Sequence, residues 1–139
     1  MTMNAVTPFS GIYPMMYAFF GRDGFLAEEA MRRQVLAALR GGAHGIAVLG
    51  LATEVSKLSS QERCRVVEWV MQDVAGAVPV AVTVSEPTVE AQAEFANWAM
   101  SKGASWVILQ PPPERGMPEA WYLDFFADVM ERVDLPCAF

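Results

Sequence analysis

Five continuously apolar runs, each separated from the next by a helical period, leave this chain few folds to adopt. The runs are "IYPMMYAFF" (12–20), "GIAVLG" (45–50), "PVAVTV" (79–84), "SWVIL" (105–109) and "LPCAF" (135–139). Their β-branched content and lack of alternation describe parallel strands covered on both faces. Between them lie four stripes at helical spacing. Met31, Val35, Ala38 and Leu39 form the first, and Val66, Val67, Val70, Met71 and Val74 the second. Val89, Ala93, Ala96 and Met100 form the third, and Phe126, Val129, Met130 and Val133 the fourth.

The ends of these segments agree with that reading. Ser59 and Glu62 fit a capping box, Thr88 an N-cap, Pro118 a first helical turn, and Gly41 and Gly103 C-terminal caps. The runs start at 12, 45, 79, 105 and 135, so the repeat is 26 to 34 residues long. That is the length of a βα unit, and right-handed crossovers turn a series of such units into either a doubly wound sheet or a (β/α) barrel. No GxGxxG or GxxxxGK[ST] follows any run, which removes the main support for the nucleotide-binding open sheets and favours the barrel.

Composition narrows the partners. With 53% hydrophobic and 19% charged residues, 139 residues are enough for one ordinary core. A net charge of -6 gives no electrostatic footprint for nucleic acid or an anionic membrane. The first basic residue is Arg22, and no apolar run approaches the roughly 20 residues of a bilayer span, so the expectation is a cytoplasmic protein without a membrane partner. Cys64 lies in a helical pattern and Cys137 in a strand pattern, and both read as buried free thiols. His44, the sole histidine, precedes the second run and falls on the amino-terminal side of the sheet, where a structural role is expected.

Two segments carry a resemblance. "GIYPMMYAFFGRDG" (11–24) resembles the opening strand of the dihydrodipicolinate synthase and N-acetylneuraminate lyase family, with Gly11, Pro14, Phe20, Asp23 and Gly24 in place and Ala18 and Phe19 where that family has threonine and proline. "GGAHGIAVLG" with "LATE…KLSSQER" resembles its second unit, in which Gly-Thr-Thr-Gly-Glu precedes Leu-Ser and a helix rich in Glu and Arg. Gly50, Glu54, Leu58, Ser59, Glu62 and Arg63 match in register.

The resemblance implies an eight-stranded (β/α)8 TIM barrel, of which residues 1–139 supply the first four and a half units and end inside the fifth strand. It also implies a lyase or aldolase acting on a pyruvate-type 2-oxo acid. The acid is held as a Schiff base on a lysine of the sixth strand, with no cofactor and no metal, in a homo-oligomer, dimer or tetramer. A carbonyl condensed onto an amine becomes a cationic electron sink that stabilises a carbanion or enamine. Only Lys57 and Lys102 occur, neither on an expected strand, so no catalytic residue is expected within the sequence.

By the same resemblance, the turn after the second run holds the carboxylate. Leu51 and Ala52 replace its two hydroxyl residues, and Thr53 stands where the family has glycine. The expected substrate contacts are therefore the backbone N–H groups of Ala52 and Thr53, with the Thr53 hydroxyl if the turn is re-aimed. Glu54 is expected to be structural. Pro112 and Pro113 stand where synthases carry the tyrosines of a proton relay, which argues against that particular synthase activity. Two other functions stay open: a non-catalytic 2-oxo-acid binding protein, and a metal-dependent barrel enzyme using Glu54 and Glu86.

Overall fold

In the computed structural model, which describes residues 9–139, parallel hydrogen-bond ladders join four strands in the order of the sequence. The strands are β1 (Ile46–Val48), β2 (Val80–Val84), β3 (Trp106–Leu109) and β4 (Cys137–Ala138). Four helices alternate with them: α1 (Glu28–Arg40), α2 (Ser60–Val74), α3 (Val89–Ser101) and α4 (Glu119–Met130). Strand order never reverses, which is the singly wound arrangement of a barrel wall rather than of a doubly wound sheet.

Register decides the two faces. Val48, Val82, Val107 and Cys137 are aligned across the strands, and this row joins Ile46, Val80, Val84 and Leu109 in two hydrophobic clusters formed with the helices. Met31 and Val35 of α1, Val66, Val67, Val70 and Val74 of α2, and Phe126 and Val129 of α4 pack on that side. The opposite face carries Met15, Ala47, Ala81 and Trp106 in one row and Thr83, Ile108 and Ala138 in the next. Aromatic rings gather there: Phe9 stacks on Trp106 at 5.6 Å and Tyr13 meets its edge at 5.5 Å.

The helix ends follow local chemistry. At α2, Glu62 N–H donates to Ser59 Oγ at 3.2 Å and Ser59 N–H to Glu62 Oε2 at 2.8 Å, a complete capping box. Thr88 Oγ1 accepts from Ala91 N–H at 3.2 Å at the start of α3. Pro118 occupies the N-cap rather than the first helical turn. Gly41 caps α1 in the right-handed region, while the positive φ expected of a terminating glycine falls on Gly42 and, after α3, on Gly103.

Three further expectations need correction. Met130 is 42% exposed, because α4 turns Phe125 inward with Phe126 and Val129, and the next residue then lies about 100° round the helix from Val129. Cys64 and Cys137 are free but only half-buried. The run 12–20 is not a regular strand. Met16 N–H donates to Ala47 O at 2.8 Å and Ala47 N–H to Pro14 O at 3.0 Å, but this is a single parallel bridge. Pro14 has no N–H with which to extend the ladder towards Gly45. Beyond Met16 the backbone leaves the sheet: Tyr17 exchanges both its N–H and its C=O with the Gln34 side chain of α1.

The approach of this leading segment needs a glycine at 45. A Cβ there would stand 2.0 Å from Tyr13 Cε1. We predict that Gly45→Ala displaces the Tyr13 ring from Trp106 and destabilises the fold by about 1–3 kcal/mol, the usual effect of overpacking. Urea denaturation measures it; a midpoint equal to that of the parent protein would show that the ring moves freely.

Candidate functional site

The carboxyl ends of the strands border a cleft of about 300 Å³ lined by Met15, Leu49, Gly50, Leu51, Val55, Thr83, Ser85, Ile108 and Gln110. It lies on the face away from the helices, where loops of a (β/α) barrel assemble their sites. Its rim is the turn that follows β1. Leu49 is fully buried with φ at 63°, a left-handed conformation unusual for a bulky residue, and Glu54 repeats it at 54°. Between them Leu51–Thr53 form a single 3₁₀ turn, and Val55–Lys57 form a second. Gly50 N–H points at Met15 Sδ, 3.3 Å away, which ties the turn to the leading segment.

The turn distributes its polar groups unequally. Thr53 is 1% exposed, and its hydroxyl donates to Met16 O at 2.6 Å. Its N–H donates to Gly50 O at 3.1 Å. Both groups expected to face substrate at Thr53 are thus engaged within the protein, and φ is not positive there, which explains why threonine stands without strain at this position. Ala52 is half-buried. The N–H groups of Leu51 and Ala52 open the 3₁₀ turn, so neither has an acceptor inside it. The Leu51 side chain is 95% exposed.

Glu54 is exposed at the end of the first 3₁₀ turn. Glu86, at the carboxyl end of β2, is bound elsewhere: its Oε1 accepts from Arg63 Nη1 at 2.7 Å, with side chains 13% and 20% exposed respectively. Its Oε2 accepts from Ser85 N–H at 3.0 Å. Burial pushes the Glu86 carboxyl above the ordinary glutamate range, and the Arg63 charge and nearby N–H groups only partly offset this. Among the described residues no three His, Cys, Asp or Glu side chains converge, so Glu54 and Glu86 are not part of a larger cluster suited to a metal.

His44 Nδ1 accepts Ile12 N–H at 2.9 Å, a structural bond at the start of the leading segment. Of the lysines, Lys102 caps α3 and pairs with Glu68 at 2.9 Å, Lys57 closes the second 3₁₀ turn, and neither lines the cleft. Pro112 is buried and Pro113 exposed in the loop after β3.

Several cleft residues escape a reading by motif. Thr83 and Ser85 lie two apart at the end of an otherwise apolar strand, so both point to the inner side, and Ile108 and Gln110 do the same one strand on. A hydroxyl inside a buried run was the available signal. Gln92 is fully buried on α3, and its Nε2 donates to Glu86 O at 2.8 Å and Gln110 O at 2.9 Å, clamping two of the loops around the cleft.

A singly wound parallel wall with a cleft at its strand ends is the arrangement of a (β/α) barrel. The profile of the dihydrodipicolinate synthetase family matches residues 8–138. The chain is 37% identical over 116 residues to a 4-hydroxy-tetrahydrodipicolinate synthase from Pelobacter propionicus, with 83% of this chain and 40% of that protein covered. It is 28% identical to an L-2-keto-3-deoxyarabonate dehydratase from Azospirillum brasilense, with 98% of this chain and 45% of that protein covered. The structure of YagE, a prophage protein of the dihydrodipicolinic acid synthase family from Escherichia coli in complex with pyruvate, superposes with a TM-score of 0.86 at 26% identity, covering 93% of this chain and 43% of that one. The chain belongs to the dihydrodipicolinate synthetase family. It spans less than half the length of these curated relatives.

Two predictions follow from the geometry. Thr53→Ala leaves the Met16 carbonyl buried without its donor and should destabilise the fold by about 1–3 kcal/mol, while Thr53→Ser restores most of the loss; thermal unfolding of both variants checks this. Glu86 should titrate above the ordinary glutamate value, and higher still in Arg63→Met. Because the native state holds that proton more tightly than the unfolded state, the contribution of this group to stability falls as pH rises from the ordinary value through the raised one. Carboxyl-carbon NMR titration reads it directly, and a Glu86 midpoint at or below the ordinary value would contradict the assignment.

Proposed function

We propose that the complete protein is a lyase or aldolase acting on a pyruvate-type 2-oxo acid, that residues 1–139 are the amino-terminal half of its single TIM-barrel domain, and that its Schiff-base lysine lies beyond them. The observation that carries this reading is the cleft at the strand ends, rimmed by the Gly50–Glu54 turn with the N–H groups of Leu51 and Ala52 free of acceptors within it. Neighbouring backbone donors are suited to a carboxylate, and hydrogen bonds to a charged group contribute about 1.5–3 kcal/mol each. The absence of a lysine from the cleft lining, together with a span of 40% to 45% of the relatives' length, supports placing the nucleophile in the remainder of the barrel.

The proposed contacts lie one residue earlier than the sequence alone suggests, since the Thr53 N–H and hydroxyl are bound within the protein. Ala52 stays, Leu51 joins it through its backbone, and Thr53 supports the turn from behind. The reading implies a cytoplasmic homo-oligomer, dimer or tetramer, that needs no cofactor, since an iminium on lysine is itself the electron sink. Among the described residues no helix is long and apolar enough to cross a membrane. Prolines 112 and 113 favour aldol cleavage or dehydration over the tyrosine-relayed synthase reaction, because proline transfers no proton.

A second reading, a non-catalytic 2-oxo-acid binder, draws its support from the missing hydroxyls at 51 and 52. Borohydride reduction of the complete polypeptide with pyruvate separates the two. The expected product is a lysine carrying one pyruvate less one water plus two hydrogens, found by intact mass and peptide mapping. Saturable binding by calorimetry without any adduct would establish the binder instead.

A further inference from the structure

We propose that Thr83 supplies, from the neighbouring strand, the substrate-binding hydroxyl that the turn after β1 lacks. The inference rests on the 2-oxo-acid reading of the cleft and extends it to a residue no motif assigns. Thr83 sits on the inner face of β2, aligned with Ile108 of β3. It is 4% exposed, yet it lines the cleft directly beside the turn: a Cβ built on Gly50 would stand 3.5 Å from its Oγ1.

The hydroxyl accounting around the turn points to this residue. Leu51 and Ala52 have none, and Thr53 uses its own on Met16 O. Ser85 and Gln110 also line the cleft, but Ser85 is half-buried and Gln110 exposed, so water can satisfy both. Thr83 Oγ1 forms no hydrogen bond among the described residues, and it is not one of their fully enclosed unpartnered atoms, so on an otherwise buried residue the hydroxyl keeps its opening onto the cleft. A hydroxyl without a protein partner that opens onto a cleft is available to a group that enters the cleft. Leu51 also lines the cleft, and its N–H, at the start of the 3₁₀ turn, can only donate, so it favours an oxygen acceptor. The hydroxyl can donate to the same group, a carboxylate oxygen or the adjacent keto oxygen of a 2-oxo acid.

The proposal separates two effects that a structural threonine would couple. Thr83→Val keeps the shape and removes the hydroxyl. If the hydroxyl serves ligand alone, this variant has a denaturation midpoint at or above that of the parent protein, whereas loss of a structural hydrogen bond would lower it. In the complete protein, the pyruvate concentration giving half-maximal borohydride trapping should rise about tenfold or more in Thr83→Val, which corresponds to about 1.4 kcal/mol. Thr83→Ser should return it to within about twofold. A second measurement is independent of the folding of the variants: in the threonine-methyl-labelled parent protein, pyruvate should shift the Thr83 methyl resonance.

Unchanged half-saturation in Thr83→Val at matched stability, or a Thr83 methyl that does not respond while trapping proceeds, overturns the role of Thr83 and leaves the 2-oxo-acid reading standing. A parent protein that neither traps nor binds pyruvate overturns both.

Discussion

Parallel pairing in fixed register is the constraint on which everything else depends. Because side chains alternate across a strand, aligning Val48 with Val82 and Val107 puts the large β-branched residues on one face, and aligning Ala47 with Ala81 puts the smallest ones on the other. The first face receives all the helices, whose apolar stripes need a broad partner. The second stays narrow, with room for the rings of Trp106, Tyr13 and Phe9 on the alanine row. A slip of one residue would exchange the two sets and leave neither the helices nor the rings with a fitting surface. Parallel pairing also brings every strand to the same end of the sheet, so the turns after β1, β2 and β3 meet around one cleft.

The leading segment shows how hydrogen-bond satisfaction sets the end of a strand. Pro14 can accept from Ala47 but cannot donate, and Met16 O, the next acceptor in line, takes the Thr53 hydroxyl instead of a strand N–H. The backbone of Tyr17 then turns to Gln34. Pro14 O and Met16 N–H pair with Ala47, but from Met16 O onward the partners come from a turn and a helix rather than from a ladder. The result is a strand that stops early and a turn that is fastened to it. The Gly50–Glu54 turn is therefore held in a fixed position between two residues with positive φ, the buried Leu49 just before it and Glu54 at its end, instead of relaxing away from the cleft.

The periodic features were legible in the sequence. Apolar runs gave β1, β2 and β3 nearly to their ends, the stripes gave every helix, and Ser59 with Glu62 and Thr88 marked two helix starts, because these depend on neighbours within a few residues. What depended on distant partners was not legible. Nothing near Thr53 in sequence indicates that Met16, thirty-seven residues earlier, claims its hydroxyl. Gln92 interrupts an alanine-rich helix and reads as a surface residue, until the carbonyls of Glu86 and Gln110 are seen to need its amide. Glu86 looked available as a ligand because the side chain of Arg63 is brought to it only by the packing of α2 beside the loop after β2.

Thr53 and Thr83 show why a turn can lose its hydroxyl residues while the cleft beside it keeps one. A buried hydroxyl that is paired inside the protein stabilises the fold but has nothing left to offer as a donor. One without a partner in the protein that opens onto a cleft keeps its donor for an acceptor that arrives. Placing both functions on the turn would set them in competition, since the donor needed to fasten the turn to Met16 would be the donor needed by the ligand. Here the turn fastens itself through Thr53 and has no hydroxyl at 51 or 52. The hydroxyl without a protein partner sits on β2, where Thr83 is paired with Ile108 of β3, so its position is set by the sheet rather than by the turn. A donor fixed in that way requires little reordering when an acceptor binds, which is the condition under which a single hydrogen bond contributes most to affinity.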